Sequence, residues 1–391
     1  MKNYTLWLPS WYPNRKDAFD GDFIERHAIA VSKQTKVILL FVTKDEQLKS
    51  NEVEIEKNFT GNLMVYKVYY GKTRWGGMFE KLHSFIKYVG LQKKIYRQII
   101  IENGIPDIVH VHVAMKAGLL ARYLKKRFQI PFVVTEHWSG YSPGLKQSIY
   151  KANWFQRLLN KKILEKATFF LPVSDNLGKT VTKYFTAINY HVVPNVVNTE
   201  VFYFAPIDIK KFRFIHPSSM NDYKNPEGLL EACKLVKEKG YDFELLMVGN
   251  QPEKLISLAV QLDLSEQVSF MPTVSYAEIA QLMQQSSALL MFSLFETQSC
   301  VVLEALCCGL PVVGTRVGGI PELIDKENGL LVESENIPAL AKAMMQMMDN
   351  YKAYSPQLIS EKATALFNYK TVAKQYTDIY NKFIEQAPVV E

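Results

Sequence analysis

Short, nearly continuous runs of apolar residues alternate along the chain with longer segments in which apolar residues recur every three or four positions. The short runs are rich in Val, Ile, Leu and Phe, a composition that favours strands buried on both faces. The longer segments have the period of amphipathic helices. This alternation predicts βαβ units, and therefore parallel sheets covered by helices on both sides.

The apolar runs predict about a dozen strands, too many for one ordinary sheet of about six. In the first half they are TLWLP, KVILLFV, LMVYKVYY, DIVHVHV, PFVVTEH, TFFLPVS and YHVVPN, and in the second FRFIHPSS, FELLMVG, VSFMP, ALLMFS, PVVGT and GLLV. Helices are predicted at 115–129, 151–166, 226–239, 252–263, 276–286, 300–308 and 336–349. The fold class is therefore α/β with two doubly wound, Rossmann-like domains, 1–198 and 199–370, followed by a terminal amphipathic helix in 371–391.

Composition excludes two classes of protein. With 48% hydrophobic and 22% charged residues, the chain is neither disordered nor a small disulfide scaffold. Its four cysteines lack metal-site or redox spacing, which predicts buried, reduced thiols in the cytoplasm. No apolar run reaches the ~20 residues of a membrane span, and the first residues do not resemble a signal peptide.

Charge divides the chain into two unlike halves. Residues 1–198 hold 30 basic and 15 acidic side chains, a net +15, whereas residues 199–391 hold 16 and 24, a net −8. This asymmetry predicts an anionic partner for the first half: nucleic acid, a membrane surface or an acidic substrate. No nucleic-acid-binding module accompanies the charge, so nucleic acid is not expected.

The segment 291–324 carries the strongest candidate chemistry. A strand ends near Ser293, a polar loop follows, and a helix begins at Ser299 or Cys300. The free backbone N–H groups of Ser299, Cys300 and Val301 would form an anion site suited to a diphosphate. Glutamates before and within this helix add carboxylates, which can accept two hydrogen bonds from a vicinal diol such as a ribose.

The block ETQSCVVLEALCCGLPVVGTRVGGIPE resembles the signature of the family 4 retaining glycosyltransferases of the GT-B fold. Two glutamates eight residues apart are common by chance, and the surrounding motif distinguishes this pair. The resemblance implies a nucleotide-diphosphate sugar as donor, with Glu296 at hydroxyls of the sugar, Glu304 at the ribose, and the backbone of Ser299, Cys300 and Val301 against the sugar and diphosphate. It also implies that the two domains face each other across a cleft and that the last helix returns to the first domain.

The segment SMNDYKNPEGLLEA resembles the family's diphosphate clamp, an Arg followed five residues later by a Lys. Lys224 matches the lysine, but Ser219 occupies the arginine position. The missing charge has to come from Lys224 and the helix start, or from another cation such as Arg316. A second departure is Gln298–Ser299 where Phe-Gly is usual, which can alter the choice of donor sugar.

Further positions follow from the same resemblance. Gly249 matches the family's Val-Gly-x-Gly-Pro turn, and Thr273 and Val274 match the loop that touches the nucleobase. Gly21 matches the glycine that allows close approach to the donor phosphate, although an ordinary turn explains it equally well. His137, at the end of FVVTEH, matches the histidine near the reacting centre, whereas His110 and His112 are expected to pack in the domain.

Other chemistries lack their motifs. LGKT at 177–180 has no P-loop glycine before it, GTRVGG at 314–319 has no dinucleotide spacing, and no Asp-x-Asp occurs. The prediction is therefore a reaction without metal or cofactor, in which Lys224 and backbone dipoles stabilise the leaving diphosphate.

Residues 72–98 combine many basic side chains with apolar residues at helical spacing, the profile of an interfacial helix on anionic lipid. The alternative is a helix that packs its apolar stripe on the sheet and exposes a basic face. The candidates for membrane or acceptor contact are Arg74, Trp75, Lys81, Lys87, Lys93 and Lys94.

These observations predict a retaining glycosyltransferase that moves a sugar to an acceptor hydroxyl on a glycan or lipid-linked acceptor, in cell-surface polysaccharide or glycolipid biosynthesis. His137 and Glu296 would position the sugar. The expected location is cytoplasmic, with contact to the inner face of the plasma membrane. A GT-B nucleotide-sugar epimerase and a non-catalytic nucleotide-sugar-binding protein are the alternatives.

Overall fold

A computed structural model describes residues 4–72, 77–206 and 210–385. The chain forms two compact units, one made of Met1–Pro194 with Tyr369–Glu391 and the other of Asn195–Asn368. The chain passes from one unit to the other after Pro194 and back after Asn368, shortly before the predicted boundaries at 198 and 370. Hydrogen bonding explains the difference, because the backbone N–H of Val197 donates to the Phe367 carbonyl at 2.9 Å and so ties both crossing segments to the second unit.

The first unit is built on a seven-stranded sheet in the order β3-β4-β2-β1-β5-β6-β7. All neighbours are parallel except β3, which is antiparallel to β4. The strands are β1 Thr5–Pro9, β2 Val37–Asp45, β3 Val53–Thr60, β4 Leu63–Gly71, β5 Ile108–His112, β6 Phe132–Glu136 and β7 Phe169–Pro172. The helices that cover this sheet are α1 Asp22–Ser32, α2 Gly77–Asn103, α3 Gly118–Phe128, α4 Trp154–Lys166 and α5 Asp175–Tyr184.

Two strands of this unit differ from the prediction. The sequence VEIEKNFT forms β3, which the apolar pattern missed because most of its side chains are exposed at the sheet edge. The predicted strand YHVVPN runs beside β7, where the N–H groups of His191 and Val193 donate to the carbonyls of Phe170 and Pro172, both at 3.1 Å. Only Tyr190 forms a β-bridge there, so this segment is an irregular continuation of the sheet.

The second unit has a parallel six-stranded sheet in the order β10-β9-β8-β11-β12-β13. Its strands are β8 Arg213–Ser218, β9 Glu244–Gly249, β10 Val268–Met271, β11 Ala288–Met291, β12 Val312–Thr315 and β13 Gly329–Val332. Its helices are α6 Pro226–Glu238, α7 Glu253–Gln261, α8 Tyr276–Gln284, α9 Cys300–Cys307, α10 Ile337–Asp349 and α11 Pro356–Phe367. The order reverses between β8 and β11, and such a switch point opens a crevice at the carboxyl ends of the strands.

Apolar clusters fill both faces of the second sheet and one face of the first, as the continuous apolar strands predict. The other face of the first sheet mixes buried apolar side chains such as Trp7 and Leu39 with buried His110, His112 and Thr135. All four cysteines are free thiols; Cys233, Cys307 and Cys308 are buried, and Cys300 is half-buried. None of the helices in the described part of the chain combines the length and apolar character needed to cross a bilayer.

The last helix, α12 Tyr369–Glu385, belongs to the first unit and packs against α1. Its buried tyrosines face polar groups at the middle of the sheet: the Tyr380 hydroxyl lies 2.5 Å from His110 Nδ1, and the Tyr376 hydroxyl accepts a hydrogen bond from Thr135 Oγ1 at 3.3 Å. His110 Nε2 also lies 2.7 Å from Thr135 Oγ1. These bonds fix the helix in one register on the sheet, because each buried polar group needs its partner.

Candidate functional site

The switch point of the second unit brings together the loops that follow β8 and β11. A single 3₁₀ turn, Asp222–Lys224, follows β8 and ends at Asn225, which has a left-handed backbone and caps α6 by accepting from the Gly228 N–H at 3.3 Å. The Leu294 N–H donates to the Tyr223 carbonyl at 2.8 Å and joins the two loops. This short, capped turn gives Lys224 a defined position.

Lys224 and Glu296 form an ion pair at the centre of this site. Lys224 Nζ donates to Glu296 Oε1 at 2.5 Å, and the Ser293 hydroxyl donates to the same oxygen at 2.9 Å. Glu296 is nearly buried and Lys224 is half-buried, so the pair is only partly screened by water. Within the described residues, the other carboxylate oxygen, Oε2, makes no hydrogen bond, which leaves it available to a ligand hydroxyl.

A third loop supports Glu296 from behind. Thr315, the last residue of β12, donates its hydroxyl to the Ser293 carbonyl at 2.7 Å. Gly318 has φ +53°, and a Cβ atom there would lie 1.6 Å from the Glu296 carbonyl oxygen. Only glycine permits this close approach, which accounts for the glycine in the VGG motif after β12.

We expect Gly318→Ala to lower the free energy of unfolding by about 2–4 kcal/mol and to displace the Glu296 loop, because backbone rather than a movable side chain occupies the space. Urea unfolding followed by fluorescence measures the effect. Gly240→Ala is the matched control, since Gly240 also has a positive φ, +81°, but nothing lies within 4 Å of its added methyl. Equal losses in the two variants would show that backbone strain, and not the contact with Glu296, is responsible.

Helix α9 begins at the same place, as predicted. Ser299 is its N-cap, and the Ser299 hydroxyl accepts from the Val302 N–H at 3.4 Å. The helix therefore starts with Cys300 and Val301, and the first backbone N–H groups of an α-helix carry the positive end of the helix dipole. Glu304 lies one turn further on and is buried, with 3% of its surface exposed.

Gln298 has a structural partner. Its side-chain Oε1 accepts from the Asn195 N–H at 2.5 Å, and its backbone carbonyl accepts from Asn195 Nδ2 at 3.0 Å. Both residues are buried. The glutamine that departs from the family motif therefore holds the first residues of the second unit against the Glu296 loop.

The remaining predicted donor residues of this unit lie in the loops after β8, β9 and β10. Ser219 is exposed; its hydroxyl accepts from Asn221 Nδ2 at 2.9 Å and its carbonyl accepts from Asn250 Nδ2 at 3.1 Å. Gly249 has φ +139°, and a Cβ there would lie 1.9 Å from the Ser218 carbonyl oxygen. The two loops therefore run back to back, and Gly249 is required by their contact.

Thr273 and Val274 follow β10 at the edge of the sheet, the first exposed and the second partly buried against the core beside α8 and α9. Arg316, the candidate replacement cation, is half-exposed and pairs with Glu333 at 3.4 Å. Of these two cations, Lys224 pairs with Glu296, whereas Arg316 pairs with Glu333.

Burial of His216 under this site gives a pH-dependent stability. His216 Nδ1 lies 2.9 Å from the Leu290 carbonyl and Nε2 lies 2.9 Å from the Ser218 hydroxyl. Burial lowers the pKa of His216 to about 4; the bond to the Leu290 carbonyl opposes this shift, and the charge of Lys224 adds to it.

Because the pKa of His216 is lower in the folded than in the unfolded state, only the unfolded state binds this proton between pH 6.5 and 4, and stability falls as the pH falls. We expect the loss to be about 1.4 kcal/mol per pH unit in that window. In His216→Asn, which keeps a donor near Leu290, this part of the slope disappears. Urea unfolding of both proteins at pH 7.5, 6 and 5 tests it, and identical slopes would contradict it.

In the first unit, Gly21 is fixed by backbone geometry. It has φ +66°, it precedes α1, and a Cβ there would lie 2.6 Å from the Trp11 carbonyl carbon. The close packing of the loop on itself therefore requires glycine. Contact of this loop with a donor phosphate stays a prediction.

His137 follows β6 on a loop that Glu136 organises. The buried Glu136 carboxylate accepts from the backbone N–H groups of Ala114, His137 and Trp138 at 3.0, 3.0 and 2.9 Å, and from the Tyr141 hydroxyl at 3.0 Å. Burial raises the pKa of Glu136 to about 7, against the opposing effect of these four donors. The loop therefore has a defined backbone on which the His137 ring is placed.

The His137 ring meets the ring of His112 edge to edge. His137 Nε2 lies 3.3 Å from His112 Nδ1, and the ring planes differ by 19°. Both rings are buried, and burial keeps the pKa of His112 well below its ordinary value. His112 Nε2 has no hydrogen-bond partner in the described structure. Either ring can donate across this contact, according to which of the two facing nitrogens carries the proton.

The basic segment 72–98 is packed in the core along part of its length and exposed along the rest. The second half of α2 packs Tyr88, Leu91, Ile95 and Ile99 into the core, which is the alternative to membrane contact. Lys87 donates to the Ser50 carbonyl at 2.5 Å, and Lys93 lies 4.4 Å from the Tyr123 ring centre. Lys81 and Lys94 are exposed. The predicted contacts at Arg74 and Trp75 lie outside the described residues.

Four residues of the site were not among the predictions: Ser293, Thr315, Gly318 and Asn195. Ser293 and Gly318 left a sequence signal, a polar residue just after a buried strand and a Gly-Gly pair after the next one. The bonds made by Thr315 and Asn195 left none, because each spans loops that are distant in the sequence.

Two doubly wound α/β units in one chain characterise the GT-B fold of glycosyltransferases. Sucrose-phosphate synthase from Thermosynechococcus elongatus shares this fold over 99% of this chain and 100% of its own, with a TM-score of 0.81 at 17% identity. Anabaena HepE in complex with UDP shares it over 97% and 100%, with a TM-score of 0.74 and 17% identity.

Family models match most of the chain: Glycosyl transferases group 1 matches residues 199–364, and Glycosyltransferase Family 4 matches residues 64–201. The N-acetyl-alpha-D-glucosaminyl L-malate synthase of Bacillus anthracis is 27% identical over 70% of this chain and 74% of its own. The putative teichuronic acid biosynthesis glycosyltransferase TuaC of Bacillus subtilis is 24% identical over 95% and 94%. The chain belongs to the family 4, group 1 glycosyltransferases.

Proposed function

We propose that this glycosyltransferase takes its sugar from a nucleotide-diphosphate donor, transfers it with retention to an acceptor hydroxyl, and needs no metal ion. The Lys224–Glu296 pair beside the start of α9 carries the proposal. It places a cation, the N-terminus of a helix and a carboxylate at one switch point, where α/β sheets bind their ligands. A diphosphate needs the first two, and a sugar hydroxyl needs the third.

Each residue of the second unit then has a distinct task. Lys224 and the N–H groups of Cys300 and Val301 face the diphosphate, where charge develops as the leaving group departs. Glu296 accepts a sugar hydroxyl on Oε2 while Oε1 stays held by Lys224 and Ser293. Glu304, on the second turn of α9, accepts hydrogen bonds from the ribose hydroxyls.

Retention follows from displacement on one face of the sugar. The bond between the anomeric carbon and the phosphate oxygen breaks, and the acceptor oxygen bonds to the same carbon from the side the phosphate leaves. The acceptor proton passes to the departing phosphate oxygen, which gives the glycoside and a nucleoside diphosphate. His137, whose ring contacts that of His112, lies on the loop after β6 and positions the sugar.

A role in cell-surface polysaccharide or glycolipid biosynthesis is supported by the relative TuaC, whose name assigns it to teichuronic acid biosynthesis. The HepE structures with UDP and UDP-glucose support a uridine nucleotide as the first donor to test.

A thermal-shift panel of nucleotide sugars identifies the donor, and an assay with the best one tests the reaction. We expect nucleoside diphosphate release that depends on acceptor and is unchanged by EDTA, and NMR of the product should show the donor's anomeric configuration. Inversion or dependence on a metal ion would overturn those parts of the proposal. An isomerised sugar from donor alone would indicate the epimerase, and absence of hydrolysis and transfer would indicate a binding protein.

A further inference from the structure

A large cavity opens at the carboxyl ends of strands β2, β4, β5 and β6 in the first unit. It has a volume of 1140 Å³, and its floor includes Lys44, Tyr70, Met115 and Trp138, which stand at or just beyond the ends of those strands. The first turns of α2 and α4 form its sides. Ligands of open α/β sheets bind at this edge, so the position is that of a binding site.

The cavity carries a net positive charge. Lys44 is neutralised by Glu80, since Lys44 Nζ lies 2.6 Å from Glu80 Oε1. Lys81 and Lys116 also line the cavity, and among the described residues neither has an ion-pair partner. The Lys116 ammonium lies 4.4 Å from the Tyr88 ring centre, and surrounding protein together with Lys44 lowers its pKa. A bound anion would neutralise the positive charges of Lys81 and Lys116.

Apolar residues of α2 and α4 line the same cavity, among them Leu82, Phe85, Trp154 and Phe155. On α2, Leu82 is 57% exposed, and Phe79 and Ile86, one turn away along the helix, are 74% and 61% exposed. On α4, Trp154 and Phe155 are 74% and 47% exposed, and the Phe155 ring lies 6.0 Å from that of Phe85. Exposed apolar side chains clustered on two neighbouring helices indicate contact with an apolar partner.

The inner end of the cavity reaches the residues next to His137. Trp138, which lines the cavity, follows His137 on the loop that Glu136 fixes. The lining of the cavity thus combines apolar side chains, two lysines and Trp138, the neighbour of the histidine assigned to the donor sugar. A ligand that fills it needs an apolar chain and an anionic group.

We propose that this cavity is the acceptor site and that the acceptor is a lipid phosphate, in which a long apolar chain is joined through phosphate or diphosphate to the group that receives the sugar. The chain lies against the α2 and α4 rim, and the phosphate lies between Lys81 and Lys116. This inference rests on the proposed glycosyl transfer and adds the chemical class of its acceptor.

Isothermal titration of the full chain with monomeric dodecyl phosphate tests the site. Dodecyl maltoside, which has the same chain and no charge, and inorganic phosphate, which has no chain, are the comparison ligands. We expect dodecyl phosphate to bind at least about tenfold more tightly than either, since hydrogen bonds to charged groups add to burial of the chain. Equal affinities for dodecyl phosphate and dodecyl maltoside would overturn the assignment of an anionic acceptor.

Variants locate the binding. Lys116→Gln and Lys81→Gln should each weaken dodecyl phosphate binding about tenfold. Lys162→Gln, the same change on an exposed part of α4 that does not line the cavity, should leave it unchanged. A loss in Lys162→Gln equal to that in Lys116→Gln, or binding to anionic vesicles without binding of the monomer, would overturn the cavity in favour of a general surface effect.

Donor hydrolysis separates this proposal from the previous one. A filled acceptor site excludes water, so dodecyl phosphate should slow the background hydrolysis of the donor in the wild type and not in Lys116→Gln. Unchanged hydrolysis with dodecyl phosphate bound would overturn the acceptor assignment. Failure of the donor to bind would overturn the proposed function instead, and thermal shifts with nucleotide sugars report that independently.

Discussion

Replacing Lys224 with methionine should lower the rate of sugar transfer by about two to three orders of magnitude, as loss of one preorganised charge stabiliser does in other enzymes. Lys224 is the cation held at the switch point, and it lies 2.5 Å from Glu296 Oε1. The resemblance to the family's diphosphate clamp places a second cation where this chain has Ser219, so under the proposed function more of the developing diphosphate charge depends on Lys224. The measurement is steady-state release of nucleoside diphosphate with saturating donor.

Two further variants make this result specific. Lys224→Arg keeps the charge beside Glu296 and should recover part of the rate. Lys239→Met removes a lysine at the end of α6, away from the site, and should retain full activity. Because Lys224→Met also leaves the nearly buried Glu296 carboxylate without its cation, its thermal unfolding is recorded as well. A folded Lys224→Met enzyme with wild-type activity would contradict the role of Lys224.

Glu304→Ala should weaken nucleotide binding about 10- to 100-fold, since two hydrogen bonds from ribose hydroxyls to a carboxylate would be lost. Glu304 is 3% exposed, so its carboxylate is little screened by water and such bonds are strong. Isothermal titration with the nucleoside diphosphate measures the affinity without the chemical step. A nucleoside diphosphate whose ribose lacks these hydroxyls should bind the wild-type enzyme more weakly by a similar factor.

Glu231→Ala is the control for this change, because Glu231 is an exposed carboxylate on α6. It should bind nucleotide as the wild type does. If Glu304→Ala is folded and its nucleotide affinity is unchanged, the assignment of Glu304 to the ribose is wrong.

Most elements of the fold could be predicted from the sequence because buried parallel strands consist of continuous apolar residues. Strands of this kind, such as β5 and β11, lie where the apolar runs place them. Strand β3 could not be predicted in the same way, since its side chains are exposed and only its pairing with β4 makes it a strand. The strand predicted after α5, YHVVPN, was wrong for the opposite reason: the segment is apolar, but its pairing with β7 is incomplete.

The site was predictable where its chemistry is local. Ser299, Cys300 and Glu304 share one helix, so their spacing alone sets their relation, and the structure places the helix start as predicted. The ion pair between Lys224 and Glu296 joins loops 72 residues apart and depends on β8 and β11 being neighbours in the sheet. Gln298 was predicted to influence the donor sugar, but its bonds to Asn195 are structural, and that prediction remains untested.

By itself, the sequence determined the α/β class, the two-part organisation and the positions of the strand ends where ligands bind, because burial and periodicity are local properties of the chain. It also determined the helix start and the carboxylates of the candidate donor site. Only the tertiary structure decided which loops meet: that Glu296 is held by Lys224, Ser293 and the Gly318 turn, that His112 contacts His137, and that Lys81, Lys116 and aromatic residues of α2 and α4 line one cavity. These contacts follow from strand order and register, which a one-dimensional pattern of apolar and polar residues does not specify.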